Sequence, residues 1–94
     1  MIVVRNCFVA KPGQASKLAA QLKEAAAAAK IPHHRILTDL TGDFNRVVME
    51  YEAENIAEFD ARMKEYATNS VMRDKMKVYT DLYITGSREI FQVI

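Results

Sequence analysis

Apolar and polar positions change period along the chain, and each change marks an element. From Ile2 to Ala10 the residues are largely β-branched or aromatic with no stripe at helical spacing, which predicts a mostly buried strand. Lys11-Pro12-Gly13 ends it, because proline fixes φ and glycine frees the turn. From Gln14 the period becomes helical: Ala15, Leu18, Ala19, Leu22, Ala25 and Ala29 share one stripe, with Lys17, Gln21, Lys23 and Glu24 elsewhere. The run from Ala25 to Ala29 adds helix propensity with little bulk, so this end holds its helix more by backbone preference than by packing. Lys30 suits the negative end of the helix dipole, and Pro32 prevents continuation.

Residues 34–51 predict a β-hairpin turning at Gly42-Asp43, with glycine in the positive-φ first position of a type II′ loop. That turn sets a register. One face pairs Asp39 with Arg46, Leu37 with Val48 and Arg35 with Glu50; the other pairs Thr38 with Val47, Ile36 with Met49 and His34 with Tyr51. Both charged pairs are opposite in sign, an agreement that a slip of one residue would lose. The face with Val47, Met49 and Tyr51 reads as a core face. Next, Asn55 followed by Glu58 is a capping-box variant that opens a second helix, with Ile56, Phe59, Met63 and Tyr66 on its apolar side. Thr68-Asn69-Ser70 predicts a break, then a shorter helix carrying Val71, Met72, Met76 and Tyr79. Leu82-Tyr83-Ile84 and the residues from Ser87 to Ile94 return to a strand pattern around Gly86.

This order of elements is the split βαβ arrangement. It predicts an α+β, ferredoxin-like βαββαβ fold, a four-stranded antiparallel sheet with its helices on one face, in one domain spanning residues 1–94. Neither outer strand of the sequence has a fully polar side. Ile2, Val4, Asn6 and Phe8 alternate with Val3, Arg5, Cys7 and Val9, and Glu89, Phe91 and Val93 alternate with Arg88, Ile90, Gln92 and Ile94. The sheet's bare face therefore needs an apolar cover, and a second copy of the same sheet is the simplest one, giving a homodimer. Arg35, Asp39, Arg46 and Glu50 are then the dimer or barrel face.

Composition narrows the partners. Half of the 94 residues are apolar and the formal net charge is +1, without a local run of Lys or Arg, so nothing points to nucleic acid or an anionic membrane. Apolar runs are too short to span a bilayer and no charged-then-apolar leader precedes the first strand, so the expectation is a cytoplasmic protein. A single cysteine, Cys7, excludes an intrachain disulfide and a multi-cysteine zinc site. There is no glycine-rich phosphate loop, and the aromatic RNA-binding motif of some four-stranded sheets is missing from strands one and three. No cofactor is expected.

Three stretches carry a family resemblance: Lys11-Pro12-Gly13, Gly42-x-x-Asn45-x-Val47-Val48, and the polar start of the second helix at Glu54-Asn55. In these, and in length and element order, the chain resembles the dimeric α+β barrel superfamily, most closely its NIPSNAP-like and antibiotic-biosynthesis-monooxygenase-like domains. Where the NIPSNAP-like pattern has tryptophan and then tyrosine after the hairpin, this chain has Tyr51 and Ala53. The resemblance implies a homodimer whose sheets close a barrel, with any ligand between the sheet and the helices or loops. It also implies one of several activities, cofactor-free oxygenation among them, or none. Asn6 stands where haem-degrading relatives place a first-strand asparagine. Those relatives also use a tryptophan and a helix-borne histidine; this chain has no tryptophan, and both its histidines precede strand two, which argues against haem degradation.

The candidate chemistry is sparse. Asn6, His34, Tyr51 and Tyr66 are the candidate ligand-pocket residues, and Asn6 and His34 the candidate catalytic ones. A histidine opposite a tyrosine is a base with a phenolic partner, although a satisfied, half-buried histidine has the same pattern. His33 and His34 point to opposite faces of an extended strand and cannot easily serve one ion, so no metal site is expected. Met63, Tyr66, Met72, Met76 and Tyr79 would line an apolar pocket or simply pack the core. Two functions stay open: a small-molecule-binding or cofactor-free monooxygenase-like protein for a small apolar or aromatic ligand, or a non-catalytic homodimeric interaction or scaffold module.

Overall fold

A computed structural model describes residues 1–94 except the side chains of Met72 and Met76, so the parts of the predicted stripe and pocket lining that fall on these two lie outside the described residues. The elements are β1 (Ile2–Ala10), α1 (Ala15–Ala28), β2 (Arg35–Thr38), β3 (Arg46–Ala53), α2 (Ile56–Thr68), α3 (Ser70–Thr80) and β4 (Tyr83–Gln92). The sheet is antiparallel in the order β2-β3-β1-β4, with the first strand in the interior and the last at an edge. This is the α+β ferredoxin-like arrangement that the order of periods predicts, with the second helical region divided in two.

Local chemistry accounts for the boundaries. Lys30, at φ 54°, follows the last turn of α1, while Ile31 N–H donates to the Ala26 carbonyl and Lys30 N–H to that of Ala27. This pair of bonds is a Schellman motif, and it turns the chain toward β2 before Pro32 is reached. Asn55 caps α2 by accepting from the Glu58 amide at 2.9 Å; the Glu58 carboxylate accepts in turn from the Glu54 amide at 3.0 Å. The box therefore closes one residue before the cap. Asn69 interrupts the helices in an extended conformation, and its side-chain oxygen accepts from the Val71 amide at 3.0 Å, so the predicted break is also the cap of α3.

The hairpin keeps its expected register but not its expected turn. Arg35 faces Glu50, Ile36 faces Met49, Leu37 faces Val48 and Thr38 faces Val47. Beyond Thr38 the ladder stops, and residues 39–45 form an open loop in place of a two-residue type II′ turn. Two bonds explain this. The Asp39 carboxylate accepts from the Arg46 backbone amide at 3.2 Å, and the Asn45 carbonyl is drawn to the Ala10 amide at 2.7 Å, with Asn45 at φ 65°. Asp39 thus binds the backbone of Arg46 where a side-chain pair was expected, and Leu40 and Phe44 project from the loop at 98% and 88% exposure.

Alternation along β1 and β3 divides the molecule. Ile2, Val4, Tyr51 and Ala53 pack with Ala26, Ile31 and Phe59, while Ala10 and Val47 pack with Leu18, Leu22 and Leu82. The opposite row carries a charge network. Glu50, only 9% exposed, accepts from Arg5 at 3.0 Å and from Arg35; Arg5 also reaches Glu89 at 3.9 Å and lies over the Phe91 ring at 5.2 Å. The predicted Arg35/Glu50 pair is present, and Arg5 makes it a network. Among the described residues no helix is long and apolar enough to cross a membrane.

The hydrogen bond from Arg35 holds the Glu50 carboxyl below its usual 4.5; burial opposes this, and Arg5 reinforces it. A carboxyl with a depressed native pKa adds stability above the unfolded-state value, and that stability is lost as pH falls through the native value. Glu50→Gln should therefore lower the urea midpoint at pH 7. Its deficit relative to the parent protein should shrink as the pH drops below 4.5; a deficit unchanged down to pH 2 would exclude the charged network as its source.

Candidate functional site

The helix layer leaves a cleft of about 570 Å³ between the sheet and the helices, within the range of small-molecule sites. Its shape follows from residue size. Ala25 and Ala26 of α1 are buried at the cleft wall, where larger side chains would fill it, so the alanine run contributes space as well as helix propensity. On the opposite side, Gly86 of β4 lies beside Phe8 in the register. A Cβ there would stand 3.2 Å from the Cys7 carbonyl oxygen and 3.3 Å from the Phe8 ring. The absence of that Cβ lets the Phe8 ring lie against β4.

The two ends of the cleft differ in chemistry. At one, Phe8 packs on Tyr83 with centroids 5.0 Å apart and meets Tyr79 edge-on at 6.2 Å, forming an aromatic wall. At the other, the register sets Asn6 of β1 between Met49 of β3 and Arg88 of β4. Asn6 is 7% exposed, and its Oδ1 accepts from Arg88 Nε at 2.8 Å. The Arg88 guanidinium lies 5.2 Å over the Phe59 ring, whose other neighbour is the Tyr51 ring, stacked with centroids 6.5 Å apart. Phe59, delivered by the capped first turn of α2, thereby positions both polar groups.

Tyr51 is the unusual member of this group. It is 1% exposed, and its hydroxyl has no hydrogen-bond partner among the described residues. Burial raises the Tyr51 pKa, opposed by the Arg88 charge, by the nearby Asn6 side chain and by Arg62. Asn6 is thus close enough to influence the phenol without the geometry of a formed bond. On α2, Arg62 donates through Nη2 to Glu58 at 2.6 Å, yet its Nη1 is enclosed without a partner among the described residues. Burial also raises the pKa values of Tyr66 and Tyr79, so these phenols are neutral donors at neutral pH.

Three of the four predicted pocket residues converge here: Asn6, Tyr51 and Tyr66 line the cleft, with Met63 and Tyr79 from the predicted apolar stripe. His34 does not join them. The strand begins one residue later than expected, and His34 Nδ1 lies 2.7 Å from the Ile31 carbonyl in the turn that precedes β2. It borders a separate shallow polar depression with His33, Arg35 and Glu52. Among the described residues no group of three metal-ligating side chains is present. Arg88 is the charged residue of the cleft that the sequence pattern did not single out. Its signal, an arginine sharing an alternating row with Ile90 and Gln92, becomes legible only when the register opposite Asn6 is known.

An unpartnered buried hydroxyl costs stability, so Tyr51→Phe should stabilise the unliganded protein by roughly 1 kcal/mol or more. Urea unfolding monitored by circular dichroism measures this directly; a destabilised variant would mean that the hydroxyl is satisfied in solution.

No family model matches the sequence, and no curated protein matches it. Solved structures do. A NIPSNAP domain protein from Burkholderia xenovorans superposes with a TM-score of 0.89 at 11% identity, covering 100% of this chain and 95% of that one. A NIPSNAP family protein from Agrobacterium tumefaciens superposes with a TM-score of 0.86 at 12% identity, covering 97% and 90%. An antibiotic-biosynthesis-monooxygenase-like protein from Chloroflexus aurantiacus gives a TM-score of 0.77 at 15% identity, covering 99% and 92%. Identities this low speak for architecture alone. The chain has the α+β ferredoxin-like fold of the NIPSNAP-like and antibiotic-biosynthesis-monooxygenase-like domains.

Proposed function

We propose that this chain is a small-molecule-binding protein of the monooxygenase-like type, holding a small, flat, largely apolar ligand in the cleft between sheet and helices. The observation that carries this reading is the cleft's own polarity. An aromatic wall of Phe8, Tyr79 and Tyr83 faces an end where the Tyr51 hydroxyl is buried without a partner and Arg88 is held by Asn6. Apolar walls with a few fixed polar groups are the usual composition of a ligand site. Fixed donors at one end of the cleft can also stabilise negative charge that develops on a ligand oxygen.

Binding is better supported than turnover by the lining. None of the described residues bordering the cleft is a carboxylate or an imidazole, and the phenols are pushed away from acting as bases. Asn6 and Tyr51 therefore enter as ligand-positioning groups, and His34 has no place in the cleft. We also propose that the open face of the sheet is covered by a second copy. Val3, Cys7, Val9 and Val48 are half-buried there without helices over them, and Arg35 and Glu50 would be enclosed at that contact. In this arrangement the binding and scaffold readings are compatible, because they use opposite faces.

Ala67 is exposed on α2 at the cleft mouth, so Ala67→Trp fills the cleft without disturbing the core. The neutral dye Nile red should bind the parent protein with one site per chain, and the variant at least about 10-fold more weakly. Equal binding by both would remove the cleft as the site. Light scattering at micromolar concentration should return twice the chain mass, and a monomer would exclude the second copy.

A further inference from the structure

Resting on that reading of the cleft, the geometry points to a carboxylate as the ligand's polar end: we propose that the site takes a flat aromatic monocarboxylate, its ring against Phe8, Tyr79 and Tyr83. The argument is one of unmatched donors. Arg88 makes no ion pair among the described residues. Its bond to Asn6 uses Nε, and the two terminal nitrogens of this exposed guanidinium have no acceptor among the described residues, so they are open to solvent and to a ligand. The Tyr51 hydroxyl, fully buried at the same end, has none either. Arg62 of α2 also has an enclosed Nη1 without a partner among the described residues, but it does not line the cleft, so the site's donors are those of Arg88 and Tyr51.

Set against these donors, the described lining contains no carboxylate, and the Glu58 carboxylate of α2 is bonded to Arg62. A cation stacked on an aromatic ring and fixed through Nε presents its planar fork in one orientation, and two parallel N–H donors match the two oxygens of a carboxylate. A neutral oxygen would satisfy the phenol but accept only a weaker bond from the Arg88 fork than a carboxylate does. The ligand's oxygens would accept from Arg88 and Tyr51, and Asn6 acts as a positioning residue because it orients the guanidinium without contacting the ligand's charge.

A matched pair of probes tests this on the intact protein. By isothermal titration calorimetry, 2-naphthoate should bind at least about 10-fold more tightly than 2-naphthamide, the scale of one charge-assisted hydrogen bond. Raising the salt concentration should weaken the acid and leave the amide unchanged. Arg88→Met, checked for folding by circular dichroism, should abolish the preference while retaining the amide's affinity. Tyr51→Phe should lose acid affinity several-fold while unfolding at higher urea. Equal affinities for acid and amide in the parent protein would overturn the carboxylate site and leave the cleft standing as an apolar one. Failure of both probes to bind at millimolar concentration would overturn the cleft as well.

Discussion

β1 is hydrogen-bonded along both edges, to β3 and to β4, and a strand in that position can send its side chains in only two directions. One row, Ile2, Val4, Asn6, Phe8 and Ala10, goes toward the helices; the other, Val3, Arg5, Cys7 and Val9, goes to the open face. Asn6 is the polar member of the inward row, and a buried amide must be hydrogen-bonded. Arg88 satisfies it across the β1–β4 ladder. That bond adds a side-chain link to the β1–β4 ladder and holds a guanidinium at the cleft. Shifted by one residue, β4 would send Arg88 to the open face, where Arg5 and Glu89 already interact.

The two faces handle charge in opposite ways. On the open face Glu50 takes hydrogen bonds from two arginines, so its burial is compensated and its carboxyl stays ionised. On the helix-facing side the Tyr51 hydroxyl and Arg62 Nη1 are enclosed with no such acceptor among the described residues, while the exposed Arg88 fork stays open to solvent. Each enclosed orphan costs roughly 1–3 kcal/mol, a sizeable share of the net stability of a small domain. The surrounding core of Val4, Leu18, Leu22 and Val47 supplies the compensating burial.

The same architecture occurs in proteins that share between 10% and 18% of their residues with this chain. A sheet with helices on one face constrains where apolar residues go and leaves the lining of the cleft free to vary. In this chain the lining is set by the alanines of α1 that leave room, Gly86 that lets Phe8 lie against β4, and the polar group around Tyr51.

Features determined within a few residues were legible in the sequence. The switch from strand to helical period located β1 and α1, Asn55 and Asn69 marked helix starts, and the alternation of charges in residues 34–51 gave the β2–β3 register. Each rests on interactions between neighbours in the chain. Features that depend on distant segments were not. The turn at Gly42 opened into a loop because Asn45 bonds Ala10 on another strand, and His34 left the strand for the Ile31 carbonyl. Asn6 and Tyr51 were visible as candidates, but their meaning came from Arg88, 82 residues along the chain from Asn6. Periodicity fixes which face a side chain occupies, and only the packed structure decides which side chains from other elements it meets there.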